Sequence, residues 1–314
     1  MSRLLETGVK TLFGPYGSEL QALGDRIGVK DLQNSTNITR GGIYREATLD
    51  LARRYLRYAD VATTNTFGAR ALLRYGEPQL YREVVETQVR IILEALDGVD
   101  GKNLVVPLGP YGVDNRGCYN LAEAPSDSFE ARDFHEQQLA VVRELRKQNP
   151  IDAVVFETIS TGREALGAVL AAKKMGVPVI PSFWVDVEGN LKTGDKLADV
   201  LRHIDNTTGN YPLGYSVNCC PLAGAEAAIG HANGKRDRLI MAYPNASDAD
   251  PSTLEEVDGA VTVRDHHTTA AQLVRMTMNN MSLRVVGGCC GFDSGAIATI
   301  AGATQNGFCH WREA

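Results

Sequence analysis

Four of the six cysteines in this 314-residue chain fall in two adjacent pairs, Cys219-Cys220 in "SVNCCP" and Cys289-Cys290 in "RVVGGCCGF". Neighbours in a regular strand point to opposite faces, so a pair held within a strand could not meet one ion. Past a strand end the backbone can bend, and Gly287, Gly288 and Gly291 permit unusual φ/ψ values. "GGCCG" is therefore able to aim both thiols at one point, and Cys219 would add a third. Zinc favours tetrahedral sulfur coordination, and three protein ligands leave its fourth position for a reactant. Two other readings stay open: buried thiols packed as small hydrophobes, and a vicinal disulfide or redox pair. That both pairs follow apolar strand-like runs favours the metal. Cys220 reads as a non-ligand packed behind its strand, and Cys118 and Cys309 as structural thiols. His310, beside Cys309, is a further side chain of ligand type.

The cysteines need elements that bring them together. Short runs rich in β-branched residues recur near Val9–Phe13, Val61–Asn65, Leu104–Leu108, Ala153–Glu157, Val177–Phe183, Leu213–Asn218, Leu239–Tyr243 and Arg284–Gly287. Stretches of helical character separate them, including "YREATLDLARRYLRYA", "YREVVETQVRIILEALDGV", "FEARDFHEQQLAVVRELRKQ" and "GREALGAVLAAKKMG". Gly176 stands where a C-cap glycine would stop the last of these. Eight alternating βα units predict an α/β fold, a (β/α)8 TIM barrel forming a single domain over residues 1–314. The alternative, an open doubly wound sheet, usually carries G-x-G-x-x-G after its first strand; here that place holds "FGPYGSEL". The stretch "NASDADPSTLEE" reads as one long βα connection. A barrel builds its site at the C-terminal strand ends, where Cys219 follows the sixth strand and Cys289-Cys290 the eighth.

Composition excludes several classes of function. The net charge of −6 comes without clusters of Lys and Arg, which argues against nucleic acid and polybasic membrane contact. No window reaches the roughly 18 consecutive apolar residues of a membrane span. The start, "MSRLLETGVKTLFG", lacks a secretory signal pattern, so a cytoplasmic location is expected. Six cysteines are too few for a disulfide scaffold.

Several motifs, in order along nearly the whole chain, resemble those of the homocysteine S-methyltransferase family. They are "ADVATTNTFGA" at 59–69, "GPYG" at 109–112, "VVFETIS" at 154–160, "SVNCCP" at 216–221, "YPNA" at 243–246 and "VGGCCGFDSGAIATIA" at 286–301. The resemblance implies a (β/α)8 barrel and Zn2+ held by Cys219, Cys289 and Cys290, in agreement with the reading of the residues. It also implies that Glu157 binds the amino group of homocysteine. It places Asn218 with Glu157 among the catalytic residues, and Gly14, Thr66 and Phe67 among those that bind substrate. The partners it implies are a small-molecule thiol acceptor and a methyl donor. One departure stands out. The family opens on an Asp-Gly-Gly-x-Gly-Thr-Glu-Leu pattern, whereas Phe13 and Pro15 stand here at the acid and the second glycine. Phe13 would then fill the amino acid end of the acceptor site with apolar surface, and Glu19 is the nearest alternative acid.

The expected activity is zinc-dependent methyl transfer from a sulfonium or quaternary ammonium donor to homocysteine or a related thiol. Phe67, Tyr111 and Trp184, near strand ends, are candidate faces for a cationic donor. The alternatives are a zinc hydrolase with Glu157 as base, and a binding or regulatory protein that keeps the metal without catalysis.

Overall fold

The computed structural model describes residues 3–6, 8–28, 35–112, 124–232, 236–246, 266–280 and 282–305. Eight parallel strands run in the order β1-β8-β7-β6-β5-β4-β3-β2. They are β1 (Lys10–Thr11), β2 (Val61–Thr63), β3 (Asn103–Leu108), β4 (Ala153–Ile159), β5 (Val179–Phe183), β6 (Tyr215–Asn218), β7 (Leu239–Tyr243) and β8 (Val285–Val286). The sheet closes into a barrel at the β1–β2 seam through a single parallel bridge, Leu12 to Val61. Two backbone bonds flank it, Phe13 N–H to Val61 O (3.0 Å) and Asp60 N–H to Thr11 O (2.8 Å).

All eight strands lie where the sequence predicts them. The first and last are shorter than their apolar runs, because their outer residues leave the ladder for the loops.

The helices surround the barrel. They are α1 (Tyr16–Ile27), α2 (Ile43–Leu56), α3 (Arg70–Arg74), α4 (Pro78–Leu96), α5 (Ser128–Arg146), α6 (Gly162–Met175), α7 (Leu197–Thr208), α8 (Leu222–His231), α9 (His266–Met278) and α10 (Ser294–Gln305). Their ends follow local chemistry. Asp127 Oδ1 accepts from the N–H groups of Phe129 and Glu130 to cap α5, and Thr161 caps α6. Gly176 ends α6 at φ 68°, the left-handed conformation that a Cβ would penalise.

Side-chain alternation divides the core in two. Leu12, Val61, Val105, Ala153, Val155, Ile180, Met241 and Val285 fill the barrel interior. Val154, Phe156, Val179, Val217 and Ala242 face outward and meet the helices. On β4 the inward set is Ala153, then Val155, so the next inward position is Glu157. A two-residue period thus delivers a carboxyl to the C-terminal mouth.

α5 and α6 pack closely because Gly167 has no side chain. A Cβ there would lie 2.6 Å from both Ala131 Cβ and Ser128 O, and a backbone oxygen cannot yield cheaply. Gly167→Ala should destabilise the protein by about 1–3 kcal/mol, read as a lower denaturant midpoint at unchanged slope.

Candidate metal centre

Cys219, Cys289 and Cys290 converge at the C-terminal mouth, with all three Sγ atoms within 4.8 Å of one another. Cys219 Sγ lies 3.7 Å from Cys290 Sγ. A tetrahedron with metal–sulfur bonds of about 2.3 Å has edges of about 3.8 Å, so the spacing and the soft donor set both fit zinc.

Two backbone devices produce this convergence. Cys219 takes a left-handed φ of 51°, unusual for a residue with a Cβ, and so turns out of the line of β6. At β8, Gly288 leaves room for the ring of Phe292, whose Cγ a Cβ would approach to 2.1 Å, and Gly291 turns the chain at φ 82°. β7 lies between the two cysteine-bearing strands and ties them. Asn245 donates its N–H to Cys220 O (2.8 Å), and its Oδ1 accepts from Cys290 N–H (3.1 Å). Cys289 N–H donates to Pro244 O (2.8 Å) and Cys219 N–H to Tyr243 O (3.3 Å).

The thiols differ in acidity. Hydrogen bonds from Cys219 and Cys289 hold Cys290 well below the ordinary thiol range, whereas the bonds to Cys219 and Cys290 push Cys289 up. Cys220 is fully buried in the outer layer, and burial pushes its thiol far up. It is packed behind the strand as a protonated thiol. Cys118, Cys309 and His310 lie outside the described residues, as does most of the "NASDADPSTLEE" loop.

Glu157 is half-buried, and its carboxyl is raised to about 8, mainly by burial and also by Cys219. Tyr243 OH donates to its Oε1 at 3.1 Å. Burial keeps that phenol protonated, so it is a fixed donor. The motif "YPNA" assigns no part to Tyr243 or Asn245 from sequence, yet both serve the site. Inward alternation from Met241 would have found Tyr243.

Asn218 does not point at open space. Its Oδ1 accepts from Thr158 N–H (2.9 Å) and Ser182 Oγ (2.6 Å), and its Nδ2 donates to Thr158 Oγ1 (2.9 Å). Thr66 is buried, and its hydroxyl donates to Pro107 O and pairs with Thr64. Gly14 lies against the Tyr55 ring, where a Cβ would meet the hydroxyl at 2.5 Å. Phe67 stacks under the Arg70 guanidinium at 4.5 Å. Arg74 covers Tyr111 at 5.2 Å and Lys192 covers Trp184 at 4.2 Å. Each aromatic singled out for a cationic donor thus already holds a cation of the chain on one face, and Trp184 is otherwise buried.

Phe13 corrects an expectation. It does not fill the mouth. It packs in the outer layer against Tyr55 and Tyr16, at centroid distances of 5.4 and 6.3 Å. Leu12 takes the inward position instead. Glu19, the alternative acid, caps α10: its Oε1 accepts from Ser294 N–H at 2.7 Å.

The family model for homocysteine S-methyltransferase matches residues 12–304, and the chain belongs to that family, which makes it an S-methyltransferase. Among solved structures it is similar to the homocysteine methyltransferase MmuM from Escherichia coli. The oxidized form of that protein aligns at a TM-score of 0.74 and 19% identity, over 96% of this chain and 98% of that one. The metallated form aligns at 0.72 and 18%, over 95% and 96%. At such identity the likeness is one of fold.

The raised Glu157 carboxyl has a consequence for stability. Between its ordinary value of 4.5 and about 8 the folded chain holds a proton that the unfolded chain releases, so stability falls as pH rises through that window. The slope is at most about 1.4 kcal/mol per pH unit, less where solvent at the mouth screens the charge. Reduced, metal-free Glu157→Gln should melt with the natural protein near pH 5 and above it near pH 8. Parallel melting curves at both pH values would contradict the assigned shift.

Proposed function

We propose that this member of the homocysteine S-methyltransferase family is a zinc-dependent enzyme that methylates homocysteine from a sulfonium or quaternary ammonium donor, and that residues 1–314 act as one barrel domain. The observation that carries the reading is the meeting of three sulfurs from β6 and β8 with a carboxyl from β4 at one mouth.

Cys219, Cys289 and Cys290 would hold the zinc, which when bound deprotonates a coordinating thiol and leaves one position for the acceptor. The protein's own groups do the rest. Glu157 faces the same mouth and would take the ammonium of the acceptor; that cation favours the ionised carboxylate and so draws the raised carboxyl back toward charge. Tyr243 holds one carboxylate oxygen in place. Methyl transfer then forms a sulfur–carbon bond as the donor's carbon–sulfur or carbon–nitrogen bond breaks. The donor's cationic centre takes the electron pair and leaves neutral, so no general base acts at the methyl itself. The mouth gathers acidic groups, which suits the ammonium of the acceptor and the cationic centre of the donor. With chain cations already on Phe67, Tyr111 and Trp184, donor recognition would rest on this charge rather than on an aromatic cage. Three thiolates also make a bound metal a poor Lewis acid, which disfavours hydrolysis.

Cys219→Ser, Cys289→Ser and Cys290→Ser should each lose most bound zinc by elemental analysis, whereas Cys220→Ser should keep it. Glu157→Gln should retain zinc yet bind homocysteine about 10- to 150-fold more weakly, the worth of one charge-assisted hydrogen bond. Unchanged affinity would assign Glu157 a structural role. Methyl transfer from betaine and from S-methylmethionine, assayed side by side, identifies the donor class.

A further inference from the structure

β4 carries an irregularity next to Glu157. Phe156 pairs with Pro181 and Ile159 with Phe183, so Glu157 and Thr158 together oppose the single residue Ser182. This is a β-bulge, which re-aims the side chains around it. The bulged residue Thr158 sits at φ 60°. That conformation is costly for a β-branched residue and persists only where the surroundings enforce it.

The enforcement comes from one side chain. Asn218, 1% exposed on β6, takes the N–H that the bulge removes from the ladder (2.9 Å) and donates to the Thr158 hydroxyl (2.9 Å). It also receives the Ser182 hydroxyl at 2.6 Å, so it spans the bulge and the residue opposite. Without the bulge, strict alternation would carry Thr158 outward, in line with Val154 and Phe156. With it, Ile159 takes the outward place, and Glu157 and Thr158 both stay on the mouth side.

We infer that Asn218 is a positioning residue that acts through Thr158: it clamps the left-handed bulge, and the bulge aims Glu157 at the acceptor. The inference rests on the proposed role of Glu157. It differs from a direct part for Asn218 in the reaction, because the amide's bonds go to β4 and β5 rather than into the mouth.

Glycine adopts a left-handed φ without the cost that alanine bears. Thr158→Gly and Thr158→Ala both remove the hydroxyl; glycine escapes that cost, while its greater loss of chain entropy on folding acts in the opposite direction. Homocysteine affinity of the zinc-loaded protein is measured by calorimetry, together with zinc content and the melting temperature without substrate. Asn218→Ala should keep its zinc and bind homocysteine about 10- to 100-fold more weakly, since a mis-aimed Glu157 forfeits most of its charge-assisted hydrogen bond to the acceptor. Adding Thr158→Gly to Asn218→Ala should recover most of the affinity and raise the melting temperature; adding Thr158→Ala should do neither. Equal behaviour of the two double variants overturns the clamp, and so does loss of zinc from Asn218→Ala that Thr158→Gly does not restore. If Asn218→Ala is insoluble, a soluble Asn218→Ala/Thr158→Gly supports the clamp and an insoluble one overturns it. Should Glu157→Gln bind homocysteine normally, the role of Glu157 fails, yet the melting comparison still decides the clamp.

Discussion

Crowded acidity at one end of the barrel is the constraint on which the rest depends. Three thiols lie within 4.8 Å of one another, and a carboxyl from β4 shares their mouth. Groups of this kind repel one another when ionised and resist charging when buried. Left to themselves, these strand ends would relax apart. The backbone prevents this: β7 is bonded to the cysteine-bearing segments on both sides, and Asn245 reaches both with its own N–H and side chain. Held this close, Glu157 and Cys289 keep their protons until a cation favours their charged forms, as a divalent metal or a substrate ammonium would.

That economy explains why unusual backbone collects here and little elsewhere. Among the described residues, the non-glycine positions with positive φ are Thr158, Asn210 and Cys219, and two of the three are at the mouth. Asn210 follows a helix end, where such a conformation is ordinary. Asn218 lies next to one of the strained mouth residues and grips the other. Strain at a site persists when the surrounding structure over-determines it, and an eight-stranded barrel with a filled interior supplies that rigidity.

Much of this was legible in the residues. The alternation of apolar runs with helical stretches places all eight strands, because each run is short, β-branched and bounded by breakers. Glycines around Cys289 and Cys290 betray the bend that brings adjacent thiols to one side. Strand parity sets Cys219 and Cys220 on opposite faces, but with Val217 facing out it would turn Cys220 inward; the left-handed turn at Cys219 reverses the two. Other features had no local signature. The bulge at Thr158 arises from pairing between β4 and β5, and neither strand shows it alone. Asn218 was legible as a motif residue but not as a clamp, since its partners lie 36 and 60 positions away. Phe13 misled because its position in a motif suggested a place in the site, while the fold turns that side chain to the helix layer and leaves Leu12 facing in.

The barrel closes at a narrow seam, one bridge between Leu12 and Val61, while β8 must dock between β7 and a first strand some 275 residues earlier. Long-range pairings of this kind are slow, because loop closure must precede the contacts that reward it. Two of the three sulfurs sit immediately beyond β8. A chain emerging from the ribosome therefore presents Cys219 long before it can form the cluster, which waits until residue 290 has been made and β8 has docked. A metal held by all three sulfurs would in this way report that synthesis has passed the eighth strand and that β8 has docked.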